Sequence, residues 1–477
     1  MPPASSIYRS FRHVAPEIPR LIAQNCVGCM ECVNQCPDTA ILARVVEPNV
    51  LDNRLGKIER TDLRESLRQH FCVTTKYHDL FVKKGEAGGL FGIFIDPDKC
   101  KGCGECVTAC GSHDALEMVP KTGVDLNLYD GAMDLFHHLP ETPERFLNEK
   151  SLGDMMLADR SLLYVGGAGS CMGCGEGTAL RLMLAATGFV YGNEVGLVAA
   201  TGCNTVFGST YPFNPFKVPW TNSLFENAPA DALGIRLRWN QEGHAKRRLW
   251  VIGGDGALYD IGFQSLSRLL MTGLDIKVLV LDTQVYSNTG GQTSTATFTG
   301  QNAKMSAIGK ARPGKREHRK ELAQIAMMHP GVYVAQTTAA HLNHFYRAIM
   351  AANEFPGPAI VICYASCMPE HGIPDNMAMA QAKLAVESRT FPVLIYDPRK
   401  GERLRDCLSL QGNPVVKEDW YENPKTGEPV DFVAFARTEG RFARHFNANG
   451  EPDEFVKLAQ QDRLDNWHRL QELAGLR

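Results

Sequence analysis

The stretch RLWVIGGDGALYDIGFQSLSRLLMTGLDIKVLVLDTQVYSNTGGQ, Arg248 to Gln292, decides the fold. LWVIGG is a compact apolar run bounded by glycine, the pattern of a parallel strand buried on both faces. ALYDIGFQSLSRLLMTG repeats apolar residues at helical spacing through Leu258, Ile261, Leu266, Leu269 and Leu270, and Gly273 suits the helix end. IKVLVLD reads as a second buried strand. The unit is β-α-β, with Gly254-Asp255-Gly256 at the turn from strand to helix. Such a turn sets backbone N–H groups and the positive end of a helix beside an anion. The two glycines let the backbone approach it closely, and Asp255 offers a carboxylate to a hard cation such as Mg²⁺. The loop after the second strand, DTQVYSN, can supply further oxygens. Asp beside Gly is often only a turn, but here it stands at a strand end, ahead of a helix, a strand and an Asn-containing loop. A Rossmann dinucleotide site is the poorer reading, because no G-x-G-x-x-G follows the strand.

Working outward, cysteine spacing dominates the N-terminal part. CVGCMECVNQCP places Cys26, Cys29, Cys32 and Cys36, and CKGCGECVTACG repeats the pattern as Cys100, Cys103, Cys106 and Cys110. Three closely spaced thiolates can hold three corners of one iron–sulfur cube, while the fourth, starting the next helix, serves the other cube. Crossed ligation follows: Cys26, Cys29, Cys32 and Cys110 on one [4Fe–4S] cluster, Cys100, Cys103, Cys106 and Cys36 on the other. A zinc pair is disfavoured, since zinc usually takes C-x₂-C pairs parted by a longer spacer. The matching segments DTAIL and HDALEM, read as short helices or strands, support an internal repeat. Gly111 stands where a Pro usually follows the fourth cysteine. The stretch between the two runs, about residues 44–95, is a long insert with helix-like sequence from Arg60 to His70, suited to covering a cluster or docking a partner. Cys72 within it reads as an isolated buried thiol.

Residues 1–22 read as an N-terminal arm, 23–122 as the two-cluster domain and 123–160 as an ordered linker with short helices, in which His137 and His138 are packed or surface side chains. A larger domain fills 161–477, opening with LLYVGGAGSC as a strand into a glycine-rich turn. Four more cysteines lie there in turn-prone settings: Cys171 and Cys174 in GSCMGCGEG, Cys203 in AATGCNTVFG and Cys367 in CYASCMPEHG. Spacing alone leaves a third cluster open. The basic run GKARPGKREHRKE around Arg312 to Lys320 reads as a solvated helix face, with phosphate or an acidic partner as the alternative. The last segment, DEFVKLAQQDRLDNWHRLQELAGL, reads as an amphipathic helix packed on the domain or a partner.

The totals exclude other classes. The chain has 477 residues and a formal net charge of −3, which argues against general affinity for nucleic acid or an anionic membrane. No apolar run approaches the roughly 20 residues needed to span a bilayer. The N-terminus lacks a signal-type apolar block, and an organellar transit sequence is the lesser reading of its arginines, so a cytoplasmic location is expected. Fifteen cysteines clustered at short spacings point to metal ligation rather than disulfides.

GDGALYDIG with its strand, helix and Asn loop resembles the thiamine diphosphate signature. With DTQVYSNTGGQTSTAT, ATGCN, KLAVES and the paired cysteine runs, the chain from about Ile22 onward resembles the C-terminal half of the pyruvate:ferredoxin (flavodoxin) oxidoreductases, within the 2-oxoacid:ferredoxin oxidoreductase family. The resemblance implies an α/β thiamine-diphosphate-binding domain with a mostly parallel sheet, preceded by an α+β bacterial-type 2[4Fe–4S] ferredoxin domain. It implies a third [4Fe–4S] cluster on Cys171, Cys174, Cys203 and Cys367. Glu176 matches a residue contacting the cofactor, which would also lie against Gly254, Asp255 and Gly256. Asp255, Thr283 and Val285, the last through its carbonyl, match the Mg²⁺ ligands, and Asn288 matches a catalytic residue facing substrate and thiazolium. Gln284 stands where pyruvate relatives often have Glu; Cys363 and Cys407 match nothing functional and read as core thiols.

The implied activity is oxidative decarboxylation of pyruvate with coenzyme A to acetyl-CoA and CO₂, with electrons passed through three clusters to ferredoxin or flavodoxin. The same parts can run in reverse. The resemblance also implies a separate α-type subunit supplying the cofactor-activating Glu and most of the substrate pocket, in a dimer of heteromers. Another 2-oxo acid such as 2-oxoglutarate, a non-catalytic electron-transfer subunit and a non-oxidative decarboxylase are the alternatives.

Overall fold

The two apolar runs of the Arg248–Gln292 stretch become neighbouring parallel strands at the centre of a large sheet. The computed structural model describes residues 1–306 and 314–477. In chain order, β1 (Glu17–Leu21), β2 (Ile41–Val46), β3 (Phe71–Cys72), β4 (Leu90–Ile95) and β5 (Leu116–Pro120) belong to the N-terminal part. The large sheet uses β6 (Val195–Ala200), β7 (Trp220–Ser223), β8 (Arg248–Gly254), β9 (Lys277–Asp282), β10 (Tyr333–Thr338), β11 (Ala359–Tyr364), β12 (Leu394–Tyr396) and β13 (Leu408–Ser409). Its order is β13-β12-β10-β11-β9-β8-β6-β7, parallel from β10 through β7, with antiparallel β12 and β13 at one edge.

Helices cover both faces, which explains the unbroken apolar strands. Trp250, Ile252, Leu279 and Leu281 pack toward helices Gly175–Tyr191 and Leu342–Glu354, in one core that continues into the N-terminal domain. Val251, Val278 and Val280 pack on the other face toward helices Phe263–Leu270, Phe432–Arg437 and Glu454–Leu473. The C-terminal helix is therefore amphipathic and docked, as its pattern predicts.

The cysteine runs form a true repeat. DTAIL and HDALEM become strands: β2 pairs with β4 and β5 with β1, both antiparallel. Gly28 and Gly102 sit at φ +72° and +74°, and Met30 and Gly104 at +70° and +79°. Cys36 Sγ accepts from the Ala40 N–H and Cys110 Sγ from the Ala115 N–H, each at 3.3 Å. Gly111 has φ +54°, which the ring of a proline forbids, so the departure there follows from a left-handed turn.

Several expected boundaries move. The arm ends before Glu17, because residues 17–21 are the strand that pairs with β5. The insert spans residues 47–89, since 44–46 and 90–95 belong to a paired hairpin. The expected linker is not a separate spacer: helix Leu126–His138 buries Met133, Leu135 and Phe136 against Leu51, Leu67 and Phe94 of the N-terminal domain, leaving His137 and His138 exposed. LLYVGG forms no strand; its glycines leave only the bridge Tyr164–Phe216. The helix after Gly254 starts as a π-helical turn, Gly256–Ile261, before the α-helix Phe263–Leu270. This wider turn rotates Ile261 out of the buried stripe, and it is 49% exposed.

Candidate functional site

Four neighbouring strands deliver the predicted residues to one edge of the sheet. β6 runs into Thr201-Gly202-Cys203, β8 into Asp255, β9 into Thr283 and β11 into the turn holding Cys367. The carboxyl ends of parallel strands are where open α/β sheets bind ligands. Helix Gly175–Tyr191 aims its N-terminus at the same place, with Cys174 Sγ accepting from the Gly177 N–H at 3.4 Å.

Two cavities share a wall there. One, of about 520 Å³, is lined by Glu176, Gly254, Asp255, Gly256, Thr283, Val285 and Asn288. The other, of about 510 Å³, is lined by Cys171, Cys174, Cys203 and Cys367. Glu176, Cys203, Thr283, Ser287 and Asn288 line both.

The first cavity has the donor set for a diphosphate-bound Mg²⁺. Thr283 Oγ1 lies 3.3 Å from Asp255 Oδ1 and 3.1 Å from the Val285 carbonyl. Bonds of about 2.0–2.1 Å to adjacent corners of an octahedron would space such oxygens by about 3 Å. Asp255 is 2% exposed and has no Lys or Arg partner among the described residues. Burial, then the neighbouring Asp282, pushes its carboxyl well up, so a bound cation is what would keep it ionised. Glu176 is 4% exposed, and its Oε2 has no partner in the structure. Burial alone lifts its carboxyl to about 8, which leaves a protonatable group on the wall that the two cavities share.

The eight cysteines of the two runs line two separate cavities, three of one run with one of the other in each. One is lined by Cys26, Cys29, Cys32 and Cys110, and the other by Cys36, Cys100, Cys103 and Cys106. Among the described residues no three His, Cys, Asp or Glu side chains converge tightly enough to hold one ion. Four thiols around each cavity match the ligand number of a [4Fe–4S] cluster. Burial raises most of these thiols, Cys100 and Cys103 to about 12, and thiolate formation would be coupled to iron binding.

The three cysteine cavities form a series. The backbone N–H of Gly173, between Cys171 and Cys174, faces Cys103 and favours its thiolate. Lys101 Nζ donates to Asp38 Oδ1 at 2.8 Å and to the Ser170 carbonyl at 2.6 Å. Arg181, 2% exposed, donates from Nη2 to the Val33 carbonyl at 2.6 Å. Glu105 accepts from the N–H groups of Ala378 and Met379 at 3.0 and 2.9 Å. The Cys36–Cys100 cavity therefore sits next to the Cys171–Cys367 cavity, and the exposed Cys29 belongs to the far one.

Other side chains depart from the sequence reading. Cys72 is not isolated: its thiol donates to the Cys26 carbonyl at 3.6 Å, and its nearness to the Cys26 thiol holds that thiol down to about 7. Thr74 and Tyr77 of the insert pack over Gly28, so the insert covers this cavity. The basic run is not a solvated helix face. Lys310 and Arg312 lie outside the described residues, but Lys315 and Arg319 are 4% and 5% exposed. Arg319 pairs with Asp282 at the end of β9, and Lys315 Nζ donates to the Thr297 carbonyl at 2.8 Å. Together they fix the loop after β9. Ser294, on that loop, donates to Asp255, and no local motif marked it. Cys363 and Cys407 are buried.

Comparisons with known proteins agree with this geometry. The C-terminal TPP binding domain of thiamine pyrophosphate enzymes matches residues 200–363, and 4Fe-4S binding domains match residues 23–40 and 93–116. The chain is 29% identical over 482 residues to the probable pyruvate-flavodoxin oxidoreductase of Escherichia coli (strain K12), covering 84% of this chain and 38% of that protein. It is 28% identical over 542 residues to the pyruvate:ferredoxin oxidoreductase of Moorella thermoacetica, covering 95% of this chain and 42% of that protein. A solved 2-oxoglutarate:ferredoxin oxidoreductase from Magnetococcus marinus is 21% identical with a TM-score of 0.36, over 42% of this chain and 65% of that one. That likeness is too low to bear on the argument. The fold and the matched domains define a chain with a TPP-binding-type domain preceded by 4Fe–4S-binding-type domains. The relatives it resembles over most of its own length are pyruvate:ferredoxin and pyruvate-flavodoxin oxidoreductases. It spans about two-fifths of the length of those relatives. Among the described residues no helix is long and apolar enough to cross a membrane.

Proposed function

We propose that this chain is the cofactor-binding and electron-relay part of a pyruvate:ferredoxin oxidoreductase of EC class 1.2.7, converting pyruvate and coenzyme A to acetyl-CoA and CO₂ with release of two electrons. The observation that carries this reading is the shared wall: Glu176, Cys203, Thr283 and Asn288 face both the Asp255 cavity and the four-cysteine cavity. Thiamine diphosphate, when bound, lets a 2-oxo acid lose CO₂ and retain the electron pair. This chain's residues would hold and orient it. Asp255, Thr283 and the Val285 carbonyl would take the Mg²⁺, and Gly254 and Gly256 would admit the diphosphate. Glu176 would meet a polar edge of the cofactor, and Asn288 would face the reacting carbon. Cys171, Cys174, Cys203 and Cys367 would hold the inner [4Fe–4S] cluster. Electrons would leave singly through the cluster on Cys36, Cys100, Cys103 and Cys106, then through that on Cys26, Cys29, Cys32 and Cys110, to ferredoxin or flavodoxin.

A separate subunit completing the site is part of the proposal. Val206 lines the four-cysteine cavity and Ile261 the Asp255 cavity, and these apolar side chains are 48% and 49% exposed. Apolar side chains left exposed at the mouths of the two cavities suit a site completed by another chain. The test is an anaerobic assay of the native assembly with pyruvate or 2-oxoglutarate, coenzyme A and a low-potential acceptor. Acetyl-CoA formation that stops with Asp255→Ala supports the reading. Oxidation of 2-oxoglutarate alone would change the substrate, and aldehyde formation without an acceptor would overturn the relay.

A further inference from the structure

Behind Thr283 and Cys367 lies His371, the histidine of CMPEHG. It is 0% exposed. Its Nε2 lies 2.9 Å from the Thr283 carbonyl, which can only accept. Its Nδ1 lies 3.4 Å from the backbone N–H of Cys367, which can only donate. Only one form of the ring satisfies both, the neutral tautomer with its proton on Nε2. The remaining close groups do not compete. Glu439 is 3.7 Å from Nδ1, but its carboxylate is engaged by Arg441 and by the Tyr364 hydroxyl at 3.2 Å.

We infer that His371 is a positioning residue that links the inner-cluster ligand Cys367 to the metal-loop residue Thr283, so that filling the diphosphate–Mg²⁺ cavity alters the four-cysteine cavity. The inference rests on the functional reading above. Thr283 offers its hydroxyl to Asp255 and the Val285 carbonyl on one side, while its own carbonyl holds the imidazole on the other. The one-turn helix Met368–His371 is closed by the His371 N–H donating to the Cys367 carbonyl at 2.8 Å. It ends at Gly372 (φ +66°), where a Cβ would meet the Gly440 backbone at 2.8 Å. A displacement at Thr283 therefore reaches Cys367 through one rigid ring.

Two substitutions divide the link. In His371→Gln the side-chain amide reaches the Thr283 carbonyl; in His371→Asn the shorter amide can still accept from the Cys367 N–H but falls short of Thr283. The assay is the EPR spectrum of the reduced native assembly, recorded with and without Mg²⁺–thiamine diphosphate, with iron content measured on each sample. The wild-type inner-cluster signal should change on addition of the cofactor, and His371→Gln should retain the change. His371→Asn, with full iron, should lose it and bind the cofactor about threefold to tenfold more weakly, as the loss of one buried hydrogen bond implies. The signals of the two outer clusters should not move. A wild-type response in fully loaded His371→Asn, or no response in fully loaded wild type, overturns the inference alone. A wild-type protein lacking the third cluster or the cofactor overturns the functional reading and this inference together.

Discussion

Replacing Asp255 with Asn should move two properties in opposite directions. The carboxyl is buried and hydrogen-bonded to Ser294 and Thr283, with no cationic partner among the described residues. Its pKa is raised, first by desolvation and then by Asp282. A carboxyl raised on folding contributes stability that is complete below the ordinary carboxylate range and lost as pH rises through the folded value. At neutral pH the cofactor-free protein is therefore weakened by this group, and the isosteric amide should raise its melting temperature. The difference should narrow toward pH 4, where both side chains are uncharged. Cofactor affinity should fall. Removing one member of a buried charge pair costs about 2–5 kcal/mol, or about thirtyfold to five-thousandfold in Kd. Calorimetric titration with Mg²⁺–thiamine diphosphate and differential scanning fluorimetry measure the two effects. Affinity within about threefold of wild type, or a lower melting temperature of the cofactor-free variant at pH 7.5, would refute the assignment of Asp255.

Three further substitutions probe other parts of the structure. Gly173→Ala places a Cβ 1.9 Å from the Asp375 carbonyl at a position with φ +67°; iron should drop by about four per chain, with the ferredoxin-type EPR signals intact. Arg181→Met strips the Val33 and Asn34 carbonyls of their donor and removes a buried cation near Cys36. Stability should fall by about 1.5–3 kcal/mol, and the potential of the cluster on Cys36 should shift downward in a potentiometric titration. His344 is 3% exposed, and burial holds its imidazole down to about 3. With an unfolded value near 6.5, the unfolded chain binds the extra proton, so stability is lost as pH falls below about 6.5. Acidification from pH 7 to 5 should cost about 2 kcal/mol through this group, a loss that denaturant titrations of His344→Gln should not show.

Much of the site is legible because its chemistry is local. Strand, glycine turn and helix around Asp255 sit within one short stretch, and each cysteine run announces its cluster by spacing. Juxtaposition is what the sequence withholds. That Thr201, Asp255, Thr283 and Cys367 share one edge depends on strand order, which no local pattern encodes. The crossed cysteine sets are an exception, because the repeat itself implies their pairing. Cys72 reads as isolated because its neighbour Cys26 is brought close by the β3–β4 pairing. Arg319 reads as solvated because a charge run usually is; here Asp282, buried at the end of β9, calls for a cation. The π-turn at Gly256–Ile261 escapes notice because it keeps an apparently helical periodicity while rotating Ile261 outward.

The central claim is that a cofactor cavity and three cubane sites lie in series within this one chain. Quantifying iron and acid-labile sulfide in the anaerobically purified protein tests it most directly. The account predicts about twelve of each per chain, falling to about eight when Cys171 and Cys367 are replaced by Ser. A wild-type count of about eight that these replacements leave unchanged would contradict it.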